Sequence, residues 1–391
     1  LESSVFLFKL RKKRTGDGMG KKPALRVCVL FGGKSTEHEV SLTSAAGVMK
    51  QMDPKRYRIL PVRIDKEGRW RLLSGEMAGE DAGTLGAAKG REVMAGDPGT
   101  QGLLCVDRDS GDTPRIVSRE TVDVVLPLLH GTYGEDGTIQ GLFTLLDLPC
   151  VGAGVAASAL CMDKIAMKQM FFQNGLPGID FLWFLRKDWE KSPKIIVQGV
   201  TKEVGYPCFI KPANAGSSVG VSKVKNVEEL SEAVGLACQF DRKVLAEKAV
   251  DARELECAVL GNDKPEASVV GEIEPSGDFY DYDAKYISED SRLIIPAELP
   301  PEVSEQVRKM AIAAYQAVDC AGMGRVDFLM DKQTGEVYVN EINTIPGFTP
   351  ISMYPKLWEA SGMSFPQLID RLVELALERH RDQSRSLFRR Q

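Results

Sequence analysis

Two carboxylates and an amide oxygen fall close together near the C-terminal end: Asp327 in "GRVDFLM", and Glu341 and Asn343 in "EVYVNEIN". The turn-like "DKQTG" separates the two segments, so together they read as a β-hairpin. Residues two apart share one face of a strand, so Glu341 and Asn343 point the same way, with Val339. If Asp331 pairs with Gly335 across the turn, Asp327 faces Val339 and lies diagonal to Glu341, roughly 7–8 Å away. Unpaired carboxylates there would repel each other and resist burial. A divalent cation reverses that balance, and an all-oxygen donor set suits Mg²⁺. Arg325 lies on the same side and could hold an anionic oxygen through two hydrogen bonds. The alternative is a solvated polar face of an antiparallel sheet. The apolar flanks Val326, Phe328 and Ile342 argue against it.

A second group of residues suits phosphate. In "FIKPANAGSSVGVSKV" a strand ends at Lys211-Pro212, and a loop with Gly216, Ser217, Ser218 and Gly220 follows. Small residues let backbone amides approach phosphate oxygens, serine hydroxyls add donors, and Lys211 supplies a point charge. A flexible glycine-rich hairpin is the plainer reading. In "LAEKAVDARELECAV", Glu247, Lys248 and Glu254 could accept from a ribose hydroxyl or an adenine amine, or be surface charge. His130 in "LLHGTYGEDG" ends a strand, where open α/β sheets place ligands. It could polarise a carboxylate or be a satisfied loop histidine.

The stretch "LRVCVLFGGKSTEHEVS" looks like a phosphate loop and fails as one. With Gly33 as the second glycine of the motif, the first falls on Cys28, inside the strand. His38-Glu39 fails as a zinc motif because position 42 is leucine. What survives is a Gly-Gly turn leading to a helix near Ser41, with amides that suit an anion and Glu37 placed for an ammonium group. A capping loop with a surface glutamate is the alternative.

These groups need elements to carry them. The chain has 391 residues, 43% of them hydrophobic, and a net charge of −5. That length suggests two or three domains, and the charge gives no sign of nucleic acid or an anionic membrane as partner. No apolar run of about 18 residues suggests a membrane span. Eight cysteines without a CxxC pair read as free thiols in a reducing, cytoplasmic setting. Residues 1–24 are expected to be an N-terminal extension, with a natural start at Met19. Strands at Val27–Phe31, Tyr57–Ile64 and Val122–Leu129 alternate with helices from Ser41 and over Ile139–Leu146, which predicts a parallel α/β domain over 25–150. Within it, 65–119 is expected to be partly loop. Residues 151–240 and 241–391 are expected to form two further lobes. The polar, aromatic stretch 276–292 is long for a connection and suggests a lid. Phe365, Leu368, Ile369, Leu372, Val373 and Leu375 recur at helical spacing and should pack on the core.

Over about residues 25–380 the ordered segments "LFGGKSTEHEVSL", "LLHGTYGEDGTIQG", "MDKIAMK", "FIKPANAGSSVGV", "EKAVDARELECAV", "FYDYDAKY" and "GRVDF…NEINTIPGFTPISMYP" resemble D-alanine–D-alanine ligases of the ATP-grasp superfamily. The resemblance implies an N-terminal α/β domain followed by a two-lobed ATP-grasp fold, with ATP between two antiparallel sheets. It implies that Lys164, Lys211, Ser218, Glu247, Lys248, Glu254 and Lys285 bind ATP. Asp327, Glu341 and Asn343 would hold two Mg²⁺ (or Mn²⁺) ions. Glu37 would anchor the first D-alanine's ammonium, with His130 nearby, and Ser352 the second D-alanine's carboxylate. Arg325 and the Gly347 amide would stabilise an oxyanion. Ser217 and Tyr286 would join Glu37 in closing the lid. A homodimer is also implied.

The implied reaction joins two D-alanine molecules through an acylphosphate, for peptidoglycan precursors. Related D-alanine–D-lactate ligases carry a lid histidine where this chain has Tyr286, so dipeptide is the expected product. Rival readings are a D-alanine–D-lactate ligase and a non-catalytic ATP-grasp sensor. A nicotinamide dehydrogenase is remote, since no GxGxxG follows the first strand. Two departures stand out: the long 65–119 stretch, and Pro350 within "GFTPIS", which leaves the outline of the second-substrate pocket open.

Overall fold

The computed structural model of the chain describes residues 23–108, 113–216, 218–274 and 292–387. Ser217, Lys285, Tyr286, the extension up to residue 22 and the expected lid, except its last position, lie outside them.

The first sheet holds seven strands: β1 (Leu25–Gly32), β2 (Tyr57–Ile64), β3 (Trp70–Leu72), β4 (Arg91–Ala95), β5 (Gly102–Asp107), β6 (Arg115–Thr121) and β7 (Val124–Pro127). Their order is β6-β5-β4-β3-β2-β1-β7. From Val27 to Phe31, β1 is at most 1% exposed. A strand covered on both faces needs such an unbroken apolar run. Helix α1 (His38–Gln51) lies beside it and buries Leu42, Ala45, Val48 and Met49.

Only β2-β1-β7 pair in parallel; β3 to β6 add on antiparallel. The expected parallel sheet is thus corrected to a mixed one, while 65–119 is partly loop as expected, with β3, β4, β5 and most of β6 between its loops. These strands are short, and edge strand β6 exposes Ile116 and Val117, so its sequence lacks the in-out alternation that would mark it.

The second sheet has order β10-β9-β11-β8 and contains β8 (Phe181–Leu185), β9 (Cys208–Pro212), β10 (Ser222–Val224) and β11 (Lys243–Lys248). Strand β11 lies beyond the expected lobe boundary at 240, so the sheet carries the central lobe on to Lys248. The third sheet, β14-β13-β12-β15-β16, comprises β12 (Ala252–Gly261), β13 (Glu266–Glu274), β14 (Arg292–Ile294), β15 (Gly322–Asp331) and β16 (Val337–Asn343). Helices α2 (Thr138–Leu145), α3 (Val155–Met162) and α4 (Lys164–Gln173) lead out of the first domain. Ala157, Cys161, Met167 and Phe171 of α3 and α4 share a core with Val326, Phe328 and Ile342. The start of the expected central lobe therefore packs on the third sheet.

The first and third sheets share the largest core, in which Val27 and Phe31 join Ala258, Leu260, Met323, Phe348 and Tyr354. Burying such side chains is worth roughly 1.5–3 kcal/mol each. The C-terminal helix Phe365–Gln383 buries Leu368, Ile369, Leu372, Val373 and Leu375, as its spacing predicts. It also clasps the first domain: Tyr57 Oη donates to Asp370 at 2.5 Å, and Arg379 to the Cys150 carbonyl at 2.9 Å. The central lobe has its own core, including Phe184, Ile210, Val224, Leu230 and Val244. A small apolar contact of Ile165 with Ala213 and Leu245, together with ion pairs, joins it to the rest.

Candidate functional site

A cleft of about 1510 Å³ lies where the three sheets meet. Its walls include Glu37 and His130 from the first domain; Lys164, Lys211, Ser218, Glu247 and Lys248 around the second sheet; and Glu254, Arg325, Asp327, Glu341, Asn343, Gly347 and Ser352 around the third. Every predicted site residue that the structure describes therefore faces one space.

The hairpin β15–β16 forms as predicted, but its register differs. Phe328 pairs with Val339 and Asp327 with Glu341, so Asn340 is an extra residue that bulges the strand. Asp327 is therefore directly opposite Glu341 rather than diagonal to it. Val339 lies with Phe328 and Ile342 in the core, not on the face of Glu341. A bulge flips the face of every residue beyond it, and simple alternation cannot anticipate it.

Arg325 donates to both oxygens of Asp327 at 2.7 Å and lies 3.0 Å from Glu256. Lys164 Nζ is 3.4 Å from Glu341 and donates to the Ala215 carbonyl at 3.0 Å. Asn343 Oδ1 is buried with no hydrogen-bond partner among the described residues. An orphaned amide oxygen beside two opposed carboxylates fits a hard divalent cation. Among the described residues, no three His, Cys, Asp or Glu side chains close a cation cage by themselves. A set of two carboxylates and one amide leaves coordination positions for phosphate oxygens.

On the opposite wall, Glu247 is diagonal to Lys211 across β9–β11, where Leu245 is the direct partner of Lys211. Glu247 is 1% exposed, and its two oxygens take Lys168 and Lys211 at 2.5 Å each. Burial pushes its carboxyl upward, but the two ammonium groups outweigh that and hold its pKa down to about 2. Burial draws Lys168 below its ordinary value, with Glu247 opposing. Lys211 also lies 5.3 Å over the ring of Phe209. Glu247, expected at the adenosine, is thus engaged with lysines.

At the first-domain end, Ser35 Oγ donates to the His130 carbonyl at 2.6 Å, tying the Gly-Gly turn to the "HGTYGEDG" loop. Glu37 is 6% exposed. A Cβ at Gly131 would sit 2.6 Å from its Oε2, and one at Gly216 would sit 3.3 Å away. Loops from two domains thus close on this carboxylate. His130 is buried, with Nδ1 3.1 Å from the Ile345 carbonyl and Nε2 3.1 Å from Ser44 Oγ. Burial lowers its pKa, but Glu135 and Glu37 reverse this, so the net shift is upward.

Ser352 Oγ donates or accepts at 2.7 Å with Thr349 Oγ1, and a Cβ at Gly347 would lie 3.1 Å from it. Pro350 turns away from the cleft, and a Cβ on Gly47 of α1 would come 2.9 Å from it.

Sequence reasoning missed Lys168, Glu135 and Glu256. Lys168 had a signal: it follows Lys164 by four residues in "MDKIAMK", which puts both on one helix face. The seven largely buried cysteines and the half-buried Cys238 form no disulfide. Burial drives thiols such as Cys257 up to about 12, so they are inert.

Comparison with known proteins gives a consistent result. Family profiles described as D-ala D-ala ligase N-terminus and C-terminus match residues 26–153 and 170–374. A D-alanine–D-alanine ligase of Thermoanaerobacter sp. (strain X514) is 51% identical over 92% of this chain and 98% of its own length. The structure of a D-alanine–D-alanine ligase from Coxiella burnetii superposes with TM-score 0.80 at 37% identity, covering 93% of this chain and 96% of its own. A D-Ala:D-Ser ligase from Enterococcus faecalis follows with TM-score 0.79 at 35% identity, over 90% of this chain and 100% of its own.

Proposed function

The chain belongs to the D-alanine–D-alanine ligase family, and from that premise we propose that its cleft joins two D-alanine molecules with cleavage of ATP to ADP and phosphate. The product serves peptidoglycan precursor synthesis, the role of the family.

A carboxylate does not react with an amine at neutral pH, because oxide is a poor leaving group. In this reading the first D-alanine is held by its ammonium on Glu37, beside His130. Its carboxylate oxygen attacks the γ-phosphorus of ATP, ADP leaves, and an acylphosphate forms. Lys164, Lys211 and Ser218 hold the phosphates, while Lys248 and Glu254 face the nucleoside. Asp327, Glu341 and Asn343 would hold two Mg²⁺ or Mn²⁺ ions, which when bound supply charge neutralisation at the phosphates. The second D-alanine, with its carboxylate on Ser352, attacks the acyl carbon through its neutral amine. Arg325 and the Gly347 N–H donate to the resulting oxyanion, each worth about 3 kcal/mol. Phosphate then departs with the carboxylate oxygen. Ser217 and Tyr286 complete the proposal by joining Glu37 to close a lid that excludes water from the acylphosphate, and Lys285 by binding ATP. A homodimer and a cytoplasmic location belong to the same reading, carried by the family resemblance. Among the described residues no helix is long and apolar enough to cross a membrane.

The observation that carries the reading is the convergence on one cleft of phosphate-type lysines and an opposed carboxylate pair with an orphaned amide oxygen. Phosphate release tests it, with ATP, Mg²⁺ and D-alanine set against D-serine, D-lactate and L-alanine. D-alanine alone should release phosphate together with dipeptide. No release would favour a sensor, and strong preference for D-lactate would favour a depsipeptide ligase.

A further inference from the structure

Lys168 is a charged side chain that the chemistry above leaves unused. It is 4% exposed and is not part of the cleft wall. Its ammonium is shared between two sheets: it meets Glu247 Oε1 of β11 at 2.5 Å and donates to the Asn340 carbonyl of β16 at 3.3 Å. The other Glu247 oxygen takes Lys211 at 2.5 Å. Lys211 does line the cleft. Two ammonium groups therefore share one buried carboxylate, so Lys168, Lys211 and Glu247 together carry one positive charge in excess, with Glu341 acting on Lys168 from β16.

That excess matters for anion binding. In a closed one-to-one pair of Glu247 and Lys211, moving the lysine toward a phosphate would strand a buried carboxylate, which is strongly unfavourable. With Lys168 also on Glu247, Lys211 can turn to an anion while the carboxylate stays compensated. The second contact is equally placed: Asn340 is the extra residue that sets Glu341 opposite Asp327.

We propose that Lys168 is a positioning residue, whose buried ammonium offsets Glu247 so that Lys211 is available to the triphosphate, and whose bond to Asn340 holds the bulged hairpin across the cleft. The inference rests on the ATP-site reading above.

The test compares the affinity of the full chain for β,γ-imido-ATP with Mg²⁺ and for adenosine, by titration calorimetry. The readout is the ratio of the two dissociation constants, which an effect on overall folding would not move. In Lys168→Met the triphosphate should bind about tenfold more weakly while adenosine stays within about twofold. Lys168→Arg should stay within about threefold of wild type. In Lys168→Met/Glu247→Gln the carboxylate that captures Lys211 is gone, so the ratio should recover. An unchanged ratio in Lys168→Met, or no recovery in the double variant, overturns the inference.

If Lys168→Met does not fold, the double variant decides alone, since it strands no buried carboxylate. A ratio near wild type supports the inference, and one shifted as far as in Lys211→Met overturns it. Lys211→Met separates the two levels. If it leaves triphosphate binding unchanged, the phosphate-site reading fails and takes the inference with it. If it weakens binding and Lys168→Met does not, only the inference falls.

Discussion

Replacing Glu247 by glutamine keeps the side chain's shape and removes the charge between two lysines. The carboxyl is held at about 2 against an ordinary 4.5. At about 1.4 kcal/mol per pH unit, that difference is worth about 3 kcal/mol at neutral pH. Removing one partner from a buried ion pair typically costs about 3–5 kcal/mol, so two independent routes agree. The sign follows from the depressed folded-state value. The contribution is complete above the unfolded value near 4.5 and disappears as pH falls through about 2. Urea unfolding at pH 7 checks this, followed by the fluorescence of Trp183 and Trp189, both in the central lobe. Glu247→Gln should be less stable by about 3 kcal/mol at pH 7 and equally so at pH 6, with the gap closing only below about pH 4.5. A variant within about 0.5 kcal/mol of wild type at pH 7, the range of ordinary surface substitutions, would refute the reasoning.

Other consequences follow from the same geometry. Asp327→Asn or Glu341→Gln should reduce phosphate release at least about a hundredfold with an unchanged circular dichroism spectrum; near-normal turnover would reject the cation assignment. Asn343→Leu deletes a buried oxygen that has no hydrogen-bond partner among the described residues. Its unfolding midpoint should hold or rise while phosphate release collapses, and a destabilised but active variant would contradict this. Gly131→Ala places a methyl 2.6 Å from Glu37 Oε2 on a backbone with φ +73°. The KM for D-alanine should rise about tenfold with the KM for ATP little changed; equal effects on both would count against Glu37 as the ammonium anchor.

The strands that carry chemistry were readable because their surroundings left few choices. Val27–Phe31 had to be a doubly covered strand, and Phe365 to Leu375 a helix with one buried face. The apolar flanks Val326, Phe328 and Ile342 favour an internal cleft over a solvated face for the hairpin's carboxylates. What could not be read depends on long-range pairing. The bulge at Asn340 depends on how β16 fits against β15, and no local composition marks it. The antiparallel strands in 65–119 are short and edge-like, and their weak alternation resembles loop. The boundary of the central lobe was misplaced because β11 returns to a sheet begun sixty residues earlier. Lys168 was passed over because burial of a lysine is rare. Only the placement of Glu247 beside it in space explains why it is there.

Activation of the D-alanine carboxylate by phosphoryl transfer is the first step of the proposed reaction, and an isotope measurement reaches it directly. The protein is incubated with ATP, Mg²⁺ and D-alanine labelled with ¹⁸O in its carboxylate, and the released phosphate is analysed by mass. One ¹⁸O atom should appear in phosphate for each dipeptide formed, because the bridging oxygen leaves with phosphorus. Dipeptide accompanied by unlabelled phosphate would contradict the account.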